Sequence, residues 1–128
     1  MKIHIIDDNT DVTTMLLKYF TIQGHSCSVS NDGHSGLSMI STNRYDAIIL
    51  DLAMPEFSGA DLVDSLYKNG KAGELNIVAF TASSVSDETE EELKKKGVKA
   101  ILRKPIDPDE LLDYLLQLQT KPVQGTNV

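Results

Sequence analysis

Ala47-Ile48-Ile49-Leu50-Asp51-Leu52-Ala53-Met54-Pro55 is an apolar run that ends on a carboxylate, followed by a short segment closed by proline. An apolar run without polar alternation is how a strand covered on both faces of a parallel sheet reads. Working outward, further β-rich runs occupy residues 3–6, 27–30, 77–80 and 99–102, and three of the five runs read as nearly continuous apolar stretches.

Helical spacing fills the intervals. Val12, Met15, Leu16, Tyr19 and Phe20 share one face, and Gly24 supplies a stop. Leu37, Met39 and Ile40 mark a weaker helix, and Leu62, Val63, Leu66 and Tyr67 a third that ends near Asn69-Gly70. A fourth helix, over residues 87–96, opens on acids and closes on Lys94, Lys95 and Lys96, an order that complements the helix dipole. The last begins with Asp107 as N-cap and Pro108 in the first turn, with Glu110 placed to complete a capping box. Five strand-then-helix units predict an α/β fold, a parallel sheet with right-handed crossovers and helices on both faces. From residue 120 onward the chain turns polar, which reads as a flexible tail or the start of a linker.

With 128 residues and 41% apolar content, the chain can bury the core of one domain. A net charge of −7 argues against a nucleic-acid surface, which needs clustered Lys and Arg. No apolar run approaches the roughly 20 residues that span a bilayer, so no membrane association and a cytoplasmic location are expected. The one cysteine, Cys27, reads as a small, partly buried side chain. His4, His25 and His34 show no metal-ligand spacing, Lys94 to Lys96 read as a solvated helix end, and Tyr45 and Tyr67 as partial core.

Ligands of an open parallel sheet bind outside the carboxyl ends of the strands. The polar residues there are Asp7 and Asp8 after the first strand, Asp51 after the third, Thr81 after the fourth and Lys104 after the fifth. Carboxylates in one pocket repel, and a hard cation such as Mg²⁺ relieves that repulsion through oxygen ligands. Lys104 adds a compact positive charge and Thr81 a hydroxyl donor, so Asp51 is placed as a nucleophile for phosphoryl transfer. Each residue also has an ordinary reading. Asp7-Asp8-Asn9-Thr10 is good turn and N-cap chemistry, and Asp51, Thr81 and Lys104 taken singly are common strand-end residues. Asn31 and Asp32, at the end of an edge strand, are expected to lie away from the centre.

Ile5-Ile6-Asp7-Asp8-Asn9, Asp51-Leu52-Ala53-Met54-Pro55 with Ser58-Gly59, Phe80-Thr81-Ala82 and Leu102-Arg103-Lys104-Pro105 together resemble the receiver domain of two-component response regulators. The resemblance implies a flavodoxin-like, doubly wound sheet of order 2-1-3-4-5, the order already known for a chemotaxis receiver. It implies a receiver domain over residues 1–119 with 120–128 as the tail. Asp51 would be the phosphoacceptor, Asp8 a direct metal ligand, Asp7 an acid holding the metal through water, and the Ala53 carbonyl a further ligand. Thr81 would be the switch hydroxyl, Ala82 a backbone donor to the phosphoryl group, and Lys104 the conserved-role lysine, in a cis bond to Pro105 and aimed at Asp51. The cofactor would be Mg²⁺, with Mn²⁺ as the substitute.

The expected function is a signalling switch and not a separate enzyme. A histidine kinase or histidine phosphotransfer protein would donate, a downstream protein would respond, and the domain would be a monomer or a phosphorylation-dependent dimer. The chain would be a stand-alone receiver or the first module of a longer protein, and Met1 just ahead of the first strand favours a natural start over the far end of a hybrid kinase. Ile101 replaces the aromatic that many receivers carry three residues before the lysine, so a rotating ring cannot report the Thr81 step. Small residues at Ala53 and Ser83 leave water free to reach an acyl phosphate. A phosphohydrolase would want an acid where Ala53 stands, and a flavin module would meet repulsion from Asp7 and Asp8. A degenerate docking receiver would not need all five signature positions.

Overall fold

The computed structural model describes residues 1–82 and 85–120. In chain order the elements are β1 (Lys2–Ile6), α1 (Thr10–Ile22), β2 (Ser26–Ser30), α2 (Gly33–Thr42), β3 (Ala47–Asp51), α3 (Gly59–Lys68), a 3-10 turn (Ala72–Glu74), β4 (Ile77–Thr81), α4 (Asp87–Lys95), β5 (Val98–Arg103) and α5 (Pro108–Thr120). The five strands form one parallel sheet of order β2-β1-β3-β4-β5. This is the doubly wound, flavodoxin-like arrangement expected above. The suggested tail lies, from residue 121, outside the described residues, as does Ser83.

Period-two alternation sorts the central strands into two apolar layers. Ile3 and Ile5, Ala47 and Ile49, and Val78 and Phe80 pack with Leu16 and Phe20 of α1 and Leu111 and Leu115 of α5. Ile6, Ile48, Leu50, Ile77 and Ala79 pack with Leu62, Val63 and Leu66 of α3, Ile40 of α2 and Leu93 of α4. Truncating a core residue such as Ile49, 1% exposed, to alanine would cost about 3 kcal/mol. Leu93 is the one buried residue of α4, so that helix has the thinnest apolar anchor of the five.

Local chemistry sets the element ends. Asn9 caps α1, its side-chain oxygen accepting from the Asp11 and Val12 amides. Gly24, at φ +92°, takes the left-handed turn after α1 that a side chain resists. Asp107 caps α5 by accepting from the Asp109 amide at 2.8 Å. A complete capping box, not anticipated from the sequence, stands at α3, where Ser58 and Asp61 exchange side-chain and backbone bonds.

Two surface readings change, at Tyr67 and Lys96, while Tyr45 is partial core as expected. Tyr67 is 54% exposed and is not core, because α3 turns that position outward. Lys96 is not simply solvated: its ammonium reaches Asp64 at 3.2 Å and Glu92 at 3.1 Å, tying α4 to α3. Tyr45 is half-buried and stacks on His4, whose ring is fully buried between the Ser28 and Ser30 hydroxyls at 2.6 and 2.8 Å. The histidine sits where apolar packing is the rule, and both ring nitrogens are satisfied.

Candidate functional site at the carboxyl rim

Strand parity decides which side chains meet at the rim. Ile3 and Ile5 put Asp7 on the α1–α5 face by alternation; Ala47 and Ile49 do the same for Asp51, and Val78 for Phe80. Leu102, on that face too, puts Lys104 beside them. Asp51 and Phe80 are register partners across β3 and β4, and Phe80 and Leu102 across β4 and β5.

The carboxylates of Asp7, Asp8 and Asp51 each bring an oxygen within 4.8 Å of the others. Asp7 and Asp51 are buried, and Asp8 is exposed. Asp7 is held on several sides. Its amide donates to the Ser30 carbonyl at 3.1 Å, and its carbonyl accepts from Asn31 Nδ2 at 2.9 Å. One carboxylate oxygen accepts from the Asn9 amide at 2.9 Å, and the other meets Lys104 Nζ at 2.6 Å. The N-cap alternative is therefore taken up by Asn9, which leaves Asp8 and one oxygen of Asp7 facing the rim. Asn31 is not remote from the centre as expected, because β2 lies next to β1 and its side chain crosses to the Asp7 backbone and Thr13.

Asp51 Oδ1 accepts from the Ala53 amide at 3.2 Å. Burial pushes the Asp51 carboxyl up to about 6; the Ala53 amide pulls it back, the charge of Asp7 raises it again, and Lys104 lowers it. Lys104 stands 3.9 Å from Asp51 Oδ2, farther than from Asp7. It therefore does not point first at Asp51. A single ammonium between two carboxylates on one face makes its short bond to one of them, and that one is Asp7.

The Lys104–Pro105 peptide is cis, as the resemblance implied. The Lys104 amide donates to the Thr81 carbonyl at 2.8 Å, which fixes the lysine against the end of β4. Thr81 is buried, and Ala82 and Ala53 are exposed at the rim. Phe80 escaped the sequence reading: its ring lies 5.3 Å from Lys104 Nζ. The signal available was its parity with Asp51 and Lys104. Ile101 is half-buried on the opposite layer, beside Leu93 and Val98.

The donor set suits a hard divalent cation. It is all oxygen, it clusters negative charge, and Asp8 leaves one side open to water, as Mg²⁺ prefers.

The family model for the response regulator receiver domain matches residues 3–116. The chain belongs to that family and is a receiver domain of two-component signalling. Response regulator MprA of Mycobacterium avium is 32% identical over 124 residues, 95% of this chain and 53% of that protein. The chain spans about half the length of the curated relatives it matches. Among solved structures, the receiver domain of the Francisella response regulator 1452 is similar at TM-score 0.81 and 30% identity, covering 91% of this chain and 94% of that one. Response regulator TrrA of Thermotoga maritima, solved in complex with Mg(2+)-BeF, shares the fold at TM-score 0.76 and 22% identity over 91% of this chain and 97% of that one.

Proposed function

We propose that the domain, residues 1–119, is a phosphorylation-activated switch that accepts a phosphoryl group on Asp51. The observation that carries this is the juxtaposition of Asp7, Asp8 and Asp51 within 4.8 Å with the Lys104 ammonium between two of them.

An Asp51 carboxylate oxygen attacks phosphorus as the bond from phosphorus to the donor breaks. From phosphohistidine the bonding pair returns to the imidazole nitrogen; from acetyl phosphate it leaves with acetate. The product is an acyl phosphate on Asp51. Lys104 and the Thr81 hydroxyl would bind its oxygens, and the Ala82 amide would donate from the far side. Mg²⁺, or Mn²⁺ in its place, would be held by Asp7, Asp8, Asp51 and the Ala53 carbonyl, and would supply neutralising charge. TrrA, which shares this fold, was solved in complex with Mg(2+)-BeF, and that is in keeping with a cation at this rim.

A histidine kinase or histidine phosphotransfer protein is the proposed donor, and a downstream protein is the proposed target, approached as a monomer or as a phosphorylation-dependent dimer. Output would come from a two-state element biased by the new charge. The thinly anchored α4 is the candidate for that element.

Intact mass after incubation with acetyl phosphate and Mg²⁺ tests the reading. One added phosphoryl group, absent with EDTA and absent in Asp51→Asn, is the expected result. A native protein that gains nothing and also fails to bind beryllofluoride overturns it.

A further inference from the structure

Three groups surround the Lys104 ammonium. Asp7 lies at 2.6 Å, Asp51 at 3.9 Å, and the Phe80 ring centroid at 5.3 Å. The last distance is within the reach of a cation–π interaction. The arrangement follows from the sheet. Phe80 is the register partner of Asp51 on one side and of Leu102 on the other. Alternation from Leu102 returns Lys104 to the same face two residues later. The ring is 4% exposed, and the lysine side chain is 16% exposed, so the contact lies mostly out of water, where such attraction is strongest.

We propose that Phe80 is a positioning residue for phosphoryl transfer, its ring face holding the Lys104 ammonium in place between Asp7 and Asp51. This rests on the reading of Asp51 as phosphoacceptor. The two carboxylates compete for one ammonium and pull it sideways. The ring attracts it without competing for its N–H donors, because the attraction is to the π face. All the donors are then free for oxygen partners, first Asp7 and then a phosphoryl oxygen on Asp51. An aliphatic residue at position 80 would present no π face and leave the lysine to the carboxylates alone.

Ordinary core packing would also place an aromatic here, so the test must separate ring shape from ring charge. Mono-, di- and trifluorinated phenylalanine installed at position 80 keep the shape nearly constant while draining the ring face. Phe80→Leu removes the face, and Phe80→Tyr keeps it. Two readouts are taken on the full chain. One is the proton shift of the Lys104 ε-methylene, which a ring at this distance moves upfield. The other is beryllofluoride affinity in Mg²⁺.

The upfield shift should be present in the native protein and in Phe80→Tyr, and lost in Phe80→Leu. Beryllofluoride affinity should fall stepwise through the fluorinated series and about three- to tenfold in Phe80→Leu. A flat fluorinated series, or an unshifted ε-methylene in the native protein, overturns the proposal while normal beryllofluoride binding leaves the Asp51 reading intact. A shifted ε-methylene in a native protein that binds no beryllofluoride would overturn the Asp51 reading and, with it, the role given to Phe80 in phosphoryl transfer.

Discussion

Lys104 Nζ lies 2.6 Å from Asp7 Oδ2, shorter than its approach to Asp51, and the Asp7 side chain is only 2% exposed. Deleting one partner of a buried pair strands the other charge. Lys104→Met should therefore destabilise the cation-free protein by about 2–4 kcal/mol in urea unfolding. The same substitution frees Asp7, so Mg²⁺ affinity by titration calorimetry should rise about tenfold, ~1.4 kcal/mol. Unchanged Mg²⁺ affinity would mean that the lysine does not compete for the cluster.

His4 gives a pH dependence away from the rim. Burial pushes its pKa from 6.5 down to about 4, so the folded protein prefers the neutral ring. The unfolded chain binds the proton more tightly. Stability is then full above pH 6.5 and is lost as pH falls from 6.5 toward 4, about 3 kcal/mol in all. His4→Gln should flatten the unfolding free energy across that window, and a slope identical to that of the native protein would rule out His4 as its source.

Lys96 links α4 to α3 through Asp64, which also bonds Lys68. With Leu93 as the buried anchor of α4, this ion pair is a second tether. Lys96→Met should speed amide hydrogen exchange in Asp87–Lys95 severalfold while leaving β3 and β4 unchanged. A phosphoryl mimic at Asp51 should alter exchange in the same helix, and unchanged rates would remove α4 as the responding element.

Gly59 packs against the backbone of the strand that carries Asp51. A Cβ there would stand 2.3 Å from the Asp51 carbonyl oxygen and 2.8 Å from Leu52 Cα. Neither atom belongs to a flexible side chain, so α3 itself must move. Gly59→Ala should cost about 1–3 kcal/mol in denaturant unfolding and should also weaken beryllofluoride binding. A fully stable variant with native binding would show that the β3–α3 junction tolerates displacement.

Ala53 is exposed two residues beyond Asp51. A larger side chain there should screen an acyl phosphate from water. Ala53→Met is expected to lengthen the lifetime of the phosphorylated protein, followed by intact mass after removal of the donor. An unaltered decay would show that water reaches the phosphoryl group from another side.

The sequence by itself determined the order and type of the elements, because each rests on local chemistry. The apolar run into Asp51, the acid-to-base order of α4 and the Asp107-Pro108 start of α5 are legible within a few residues. The candidate rim was legible too, since a parallel sheet gathers its strand ends and the motifs around Asp7, Asp51, Thr81 and Lys104 mark them. Only the tertiary structure decided which carboxylate Lys104 bonds, that Asn31 braces Asp7, and that Phe80 lies beside the ammonium. It also decided that Tyr67 faces water and that Lys96 reaches Asp64. The physical reason is range. Propensity and periodicity act over one or two turns, whereas the Lys104–Asp7 bond joins residues 97 positions apart. Its length is set by sheet register and layer packing, which no single stretch of sequence encodes.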